Sequence, residues 1–291
     1  MDDVRKIARV IEPMETMDGA GVRLRRSIAT PVLDYLDPFL LLDHFGSDDP
    51  EEYIAGFPMH PHRGIETVTY MLDGVVAHRD TMGHAGEVGP GDIQWMSAGG
   101  GLQHEEMPRI RKGRLEGFQL WVNLPAKLKM SKPSYQEVGD RRIPEVAHGN
   151  AKIRVVAGKV GDVEGAIADI AANPTYLDVT LPRKETFAYP VPRGHAAFAY
   201  VFRGEAVIDG RPIPAPKLVV FSDGDSVSLR AGEEGARFLL VSGRPLNEPV
   251  ARYGPFVMNT RGEIEQALSD LRRGCFEWRP VAGAGSGTES A

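Results

Sequence analysis

The chain has 291 residues and a single cysteine, Cys275, so it cannot close an internal disulfide. A disulfide scaffold and a thiolate metal cage are both excluded. Excess positive charge is also missing: 34 Lys and Arg stand against 40 Asp and Glu, a formal net charge of −6. That is the wrong sign for sequence-independent attraction to a phosphate backbone, so direct nucleic-acid binding is not expected. The basic stretch Arg23, Arg25 and Arg26 around Leu24 reads as a solvated strand face. No run approaches the ~18 consecutive apolar residues of a membrane span. The opening MDDVRKIARV lacks the apolar core of a signal peptide. A reducing home is expected, cytoplasmic or, in a eukaryote, also nuclear, with no membrane association. What remains is ordinary globular material, 42% hydrophobic and 25% charged, long enough for two cores.

The stretch that carries chemistry opens with FPMHPHRGIETVTY (57–70) and closes with GGGLQHEEMP (99–108). His60 and His62 are one residue apart, as are His104 and Glu106. On extended segments such pairs send both side chains to one face. Pro58 and Pro61 flank His60 and favour extended backbone there. Two inward-facing pairs make a four-ligand cage. Imidazole with carboxylate suits Fe(II), Mn(II), Co(II), Ni(II), Cu(II) or Zn(II) and leaves two positions of an octahedral ion open. Spacing alone leaves the carboxylate undecided between Glu66 and Glu106, while Glu105 alternates to the opposite face. His44, a lone histidine ending the apolar run before Phe45, reads as structural.

From Ile65 onward, short β-rich runs are broken by Gly and Asp, the pattern of an antiparallel sandwich or barrel. The second half echoes the first. Laying YVFRG (200–204) over YMLDG (70–74) puts Pro190 on His60, Pro192 on His62 and Ala196 on Glu66. His195 falls off the ligand positions and reads as a turn or core histidine. The segment SLRAGEEGARF (228–238) offers Glu233 and Glu234 but no histidine. One metal site per chain is expected, in the first half. The expected organisation is a metal-binding domain over 1–135, a connector over 136–150, and a second domain over 151–291 without metal ligands. Near the end, Thr260 and Glu263 make a capping box, Ile264, Ala267, Leu268 and Leu271 an apolar stripe, and Gly274 a stop, predicting a helix over about 261–273. Residues 282–291 have no means of packing and are expected to be disordered.

Together HPHRG, HEEMP, the upstream DPFLLLDHF and the late GPFVMNT resemble the pirin family of bicupins, in pieces from about Val22 to Trp278. The resemblance implies an all-β fold of two tandem cupin (jelly-roll β-barrel) domains with a short C-terminal helix. It implies one divalent metal, Fe(II) first, on His60, His62, His104 and Glu106, and a dioxygenase cleaving flavonols of the quercetin type. Glu106 then serves as ligand and as general base for the substrate hydroxyl. The implied partners are a small planar aromatic substrate and dioxygen, in a monomer. Phe57, Met59, Trp95, Met96, Met107 and Phe118 are expected around an apolar slot, with His78 and His84 at its mouth. The sequence departs from the family pattern at Glu105, an added carboxylate between two ligands. The same resemblance supports an alternative: an iron-dependent redox-sensing regulator that binds a protein partner without physiological turnover.

Overall fold

The computed structural model describes residues 3–109 and 113–279. The expected tail at 282–291 lies outside them. Strands dominate, and every sheet ladder is antiparallel. In the first half, a seven-stranded sheet runs in the order Ser134–Val138, Ile93–Ser97, Ile65–Asp73, Leu115–Asn123, Phe39–Ser47, Val22–Ile28, Met14–Asp18. A four-stranded sheet, Phe57–His62, Leu102–Pro108, Val76–Asp80, Ala85–Val88, accompanies it. The second half is built on a nine-stranded sheet. Its long strands Ala196–Ile208 and Ser226–Gly243 bend at register shifts and serve several neighbours.

The largest core lies between the halves. Val68, Tyr70, Trp95, Phe118, Leu120 and Val122 from the first pack on Tyr176, Phe198, Tyr200, Leu239 and Val241 from the second. Two buried polar bridges cross it. Tyr70 Oη donates to Asp178 Oδ2 at 2.8 Å, and Arg237 holds that carboxylate with two further bonds. His44 Nε2 lies 2.9 Å from Glu116 Oε1 and its Nδ1 lies 3.2 Å from Tyr200 Oη, while Glu116 also meets Arg203. His44 is therefore a packed, hydrogen-bonded core residue.

The strand pairing crosses the expected domain limits. Ile7–Ile11 joins the second half's sheet through Lys217–Phe221. Arg5 is buried there, its guanidinium donating to the carbonyls of Pro192, Ser222, Gly224 and His195. The expected connector begins inside strand Ser134–Val138, paired in the first sheet, and contains strand Glu145–His148, paired in the second. At the other end, helix Arg261–Arg272 carries the capping box: Thr260 Oγ accepts from Glu263 N at 3.2 Å, and Glu263 Oε2 accepts from Thr260 N at 2.7 Å. Its stripe packs on Phe256, Met258 and Phe276, and Arg63 of the first half meets that cluster through Asp270 and the Phe276 carbonyl.

The second barrel is filled. Phe187, Tyr189, Val191, Val227, Phe238 and Leu240 occupy its interior where the first half keeps polar residues. His195 sits in a turn, its N–H bonded to Pro192 O.

Candidate metal centre

Strands Phe57–His62 and Leu102–Pro108 pair with His60 directly opposite His104. Cross-strand partners share a face, and His62 lies two residues along on that same face. The three imidazoles converge, with ring centroids 4.5 Å (His60–His104), 4.8 Å (His60–His62) and 5.1 Å (His62–His104) apart. One nitrogen from each lies within 4.8 Å of the others, a group that can hold a metal ion.

The donor chemistry fits an ion. His60 Nδ1 donates to the carbonyl of Pro58 at 2.9 Å, which leaves Nε2 with its lone pair. His62 and His104 are buried, and His62 Nδ1 and both nitrogens of His104 have no hydrogen-bond partner. Buried imidazole nitrogens without partners are costly, and a cation takes a lone pair from one nitrogen of each ring. Burial, reinforced by repulsion among the histidines, holds His62 and His104 well below the usual imidazole range. Both are therefore neutral at pH 7, the form that ligates.

Glu106 lies outside that three-histidine group. Its Oε1 accepts from Thr69 Oγ at 2.9 Å and its Oε2 from Gln119 Nε2 at 3.1 Å. The register shifts between His104 and Glu106, so the carboxylate does not repeat the histidine's position against the facing strand. It nonetheless lines, with His60 and His62, one cavity of about 490 Å³. Val22, Leu24, Leu41, Phe45, Phe57 and Trp121 give this cavity apolar walls. Trp121 sets its ring edge-to-face against His62 at 5.1 Å, and the Arg252 guanidinium covers Trp121 at 5.4 Å.

The other residues singled out in the sequence scatter. Glu66 lines a different cavity with Trp95 and Ser97, and Glu105 points outward to Arg79 at 2.6 Å. Phe57 is on the main cavity wall. Trp95 and Phe118 face the core between the halves, Met96 packs with Ala98 and Leu102, Met59 is exposed, and Met107 is absent from the lining. His78 is buried 3.0 Å from Glu137, and His84 pairs with Asp80 at 2.9 Å; neither lines the cavity. Arg26 corrects the solvated-face reading. It is largely buried, clamps Asp43 at 2.6 and 2.8 Å, and lines the cavity. The residues missed, Arg26, Asp43, Thr69, Gln119, Trp121 and Arg252, lie far apart in sequence and meet only through the sheet.

Comparison with known proteins agrees with this architecture. The pirin family model matches residues 21–122, and the model of the pirin C-terminal cupin domain matches residues 176–277. A pirin-like protein of Caulobacter vibrioides is 46% identical over 275 residues, covering 94% of this chain and 99% of that one. Human pirin is 40% identical over 279 residues, covering 94% of each. The crystal structure of quercetin 2,3-dioxygenase from Acinetobacter baumannii superposes with a TM-score of 0.85 at 35% identity, over 94% of this chain and 98% of that one. The two family models match both halves and these relatives match nearly the whole chain, so the chain belongs to the pirins.

Proposed function

We propose that the chain binds one divalent transition metal, Fe(II) in the first instance, on His60, His62 and His104 with Glu106 as fourth donor, and cleaves flavonols of the quercetin type with dioxygen. The observation that carries the reading is the opening of one apolar cavity onto both the histidine cluster and Glu106. When bound there, the ion would supply Lewis acidity and redox capacity for a reaction with dioxygen.

The protein's own groups divide the remaining work. Phe57, Leu41, Val22 and Trp121 bound a slot for a planar ring system and keep water away from its faces. Glu106 accepts the proton of the flavonol 3-hydroxyl, steadied by Thr69 and Gln119. Trp121 props His62 from the side and fixes its ring plane.

The test is direct. Protein loaded with Fe(II) is mixed with quercetin in air, and loss of the flavonol absorbance is followed. Turnover that disappears in Glu106→Gln supports the reading. No turnover with Fe, Mn, Co, Ni or Cu overturns it and leaves metal-dependent regulation as the function.

A further inference from the structure

The cavity has a second polar end, separate from the histidines. The sheet register gives it an order: Thr69 lies opposite Gln119, Gln119 opposite Asp43, and Asp43 opposite Arg26. Four adjacent strands thus lay a polar row along the cavity wall. At about 4.8 Å per strand, Asp43 stands about 10 Å across the sheet from Thr69, which holds Glu106. That is the scale of a fused two-ring system. Leu24, Leu41 and Phe45 supply apolar contacts around this end.

The far end is ionic, and Arg26 holds both of its carboxylates. Arg26 donates through Nε to Asp43 Oδ1 and through Nη2 to Asp43 Oδ2, and Nη2 also reaches Asp18 at 2.5 Å. Arg252, brought in from the second half, completes it and donates to Leu40 O at 3.1 Å. Two guanidinium groups and two carboxylates therefore line it. A ligand cation finds both carboxylates already engaged by Arg26 and must be desolvated without a partner. A neutral hydroxyl meets no such penalty, because a carboxylate oxygen in a bidentate pair keeps a second lone pair to accept with.

We propose that Asp43, held by Arg26, is the specificity-determining residue of this cavity. It accepts a hydrogen bond from a phenolic hydroxyl remote from the metal-facing edge of the ligand, and so selects aromatics hydroxylated at that end over unsubstituted ones. The inference rests on the flavonol reading of the same site and adds the ligand class that the site prefers.

Binding to the metal-loaded full-length chain tests it, read by quenching of tryptophan emission, since Trp121 lines the cavity. The probes are quercetin and 3-hydroxyflavone, which keeps only the metal-facing hydroxyl. Hydrogen bonds to charged groups predict that quercetin binds about tenfold more tightly than 3-hydroxyflavone. Asp43→Asn should collapse the preference for quercetin over 3-hydroxyflavone to within about threefold. Equal binding of quercetin and 3-hydroxyflavone to the wild type overturns the inference and leaves the flavonol reading standing. So does a preference that survives Asp43→Asn. Failure of every flavonol to bind the wild type overturns both. The wild-type ligand series needs no variant, so the inference stays testable if Asp43→Asn does not fold.

Discussion

Arg63, the residue after His62, donates from Nη1 to Asp270 Oδ2 of the C-terminal helix at 2.7 Å, and the guanidinium is almost wholly buried. It also donates to Phe276 O at 2.8 Å and stacks over the Phe276 ring at 4.5 Å. The same segment reaches the other ligand strand: Trp278 N donates to Gly101 O at 2.8 Å, and Gln103 Nε2 to Glu277 at 2.8 Å. Glycine is required where the chains cross. A Cβ on Gly64, at φ +79°, would sit 2.0 Å from Val257 O, and one on Gly101 would sit 2.6 Å from Phe276 O. The C-terminal helix and the segment through Trp278 therefore hold both motifs that supply the histidines.

Asp270→Ala follows from this contact. It leaves a buried guanidinium with only the Phe276 carbonyl and ring as partners. A cost of about 2–3 kcal/mol is expected, below that of a fully buried pair because Asp270 is partly exposed. Urea denaturation measures it. Metal loss to a chelator should quicken in the same variant, because the strand carrying His62 loses its anchor. An unchanged release rate would show that the helix supports the fold without supporting the site.

Glu66 gives a pH prediction of opposite sign to the usual carboxylate. Burial pushes its carboxyl up to about 7. Between an ordinary value near ~4.3 and about 7, the folded state keeps a proton that the unfolded chain has released, so stability falls as pH rises through that window and levels above it. Glu66→Gln, which mimics the protonated form, should be neutral near pH 4 and stabilising by about 3 kcal/mol above pH 7. Denaturation midpoints at pH 4 and pH 8 check this; an equal effect at both would refute it.

The histidine cluster was legible in the sequence because its members come in pairs on paired strands, where spacing fixes the face. The cavity wall was not. In strand Leu115–Asn123, Gln119 and Trp121 face the cavity while Phe118, Leu120 and Val122 face the second half. A strand covered on both sides loses the apolar-polar alternation that would reveal its parity. Phe118 was accordingly expected in the slot, one residue away from the side chain that is there. Arg252 joins the wall from the other half of the chain, and no local pattern announces such a contribution. The helix near the C-terminus was readable from its cap and stripe, but its place on the first half depends on contacts over 200 residues away in sequence, such as that of Arg63 with Asp270.

The second half makes a prediction about stoichiometry. Pro190 and Pro192 stand where the first half has His60 and His62, and Phe187, Tyr189 and Phe238 fill the barrel. Elemental analysis of metal-loaded protein should give about one ion per chain. His104→Ala should abolish retention entirely, with no residual tight site among the described residues.

His62→Ala separates the metal from the fold. The core between the halves and the core of the second barrel contain none of the three histidines, so the variant should lose metal yet remain folded. Truncation loses packing against Trp121 but also removes a buried nitrogen that has no partner. These effects oppose, and the metal-free variant should lie within about 1.5 kcal/mol of metal-free wild type at pH 8. Acid should reveal the difference. His62 is held well below its ordinary value, so as pH falls below ~6.5 the unfolded chain binds a proton that the folded state refuses, and metal-free wild type loses stability. The variant lacks that group and should lose less between pH 7 and pH 5. Parallel stability curves over that range would show that His62 takes up its proton as readily in the folded chain as in the unfolded one, and that it is not held neutral for a metal.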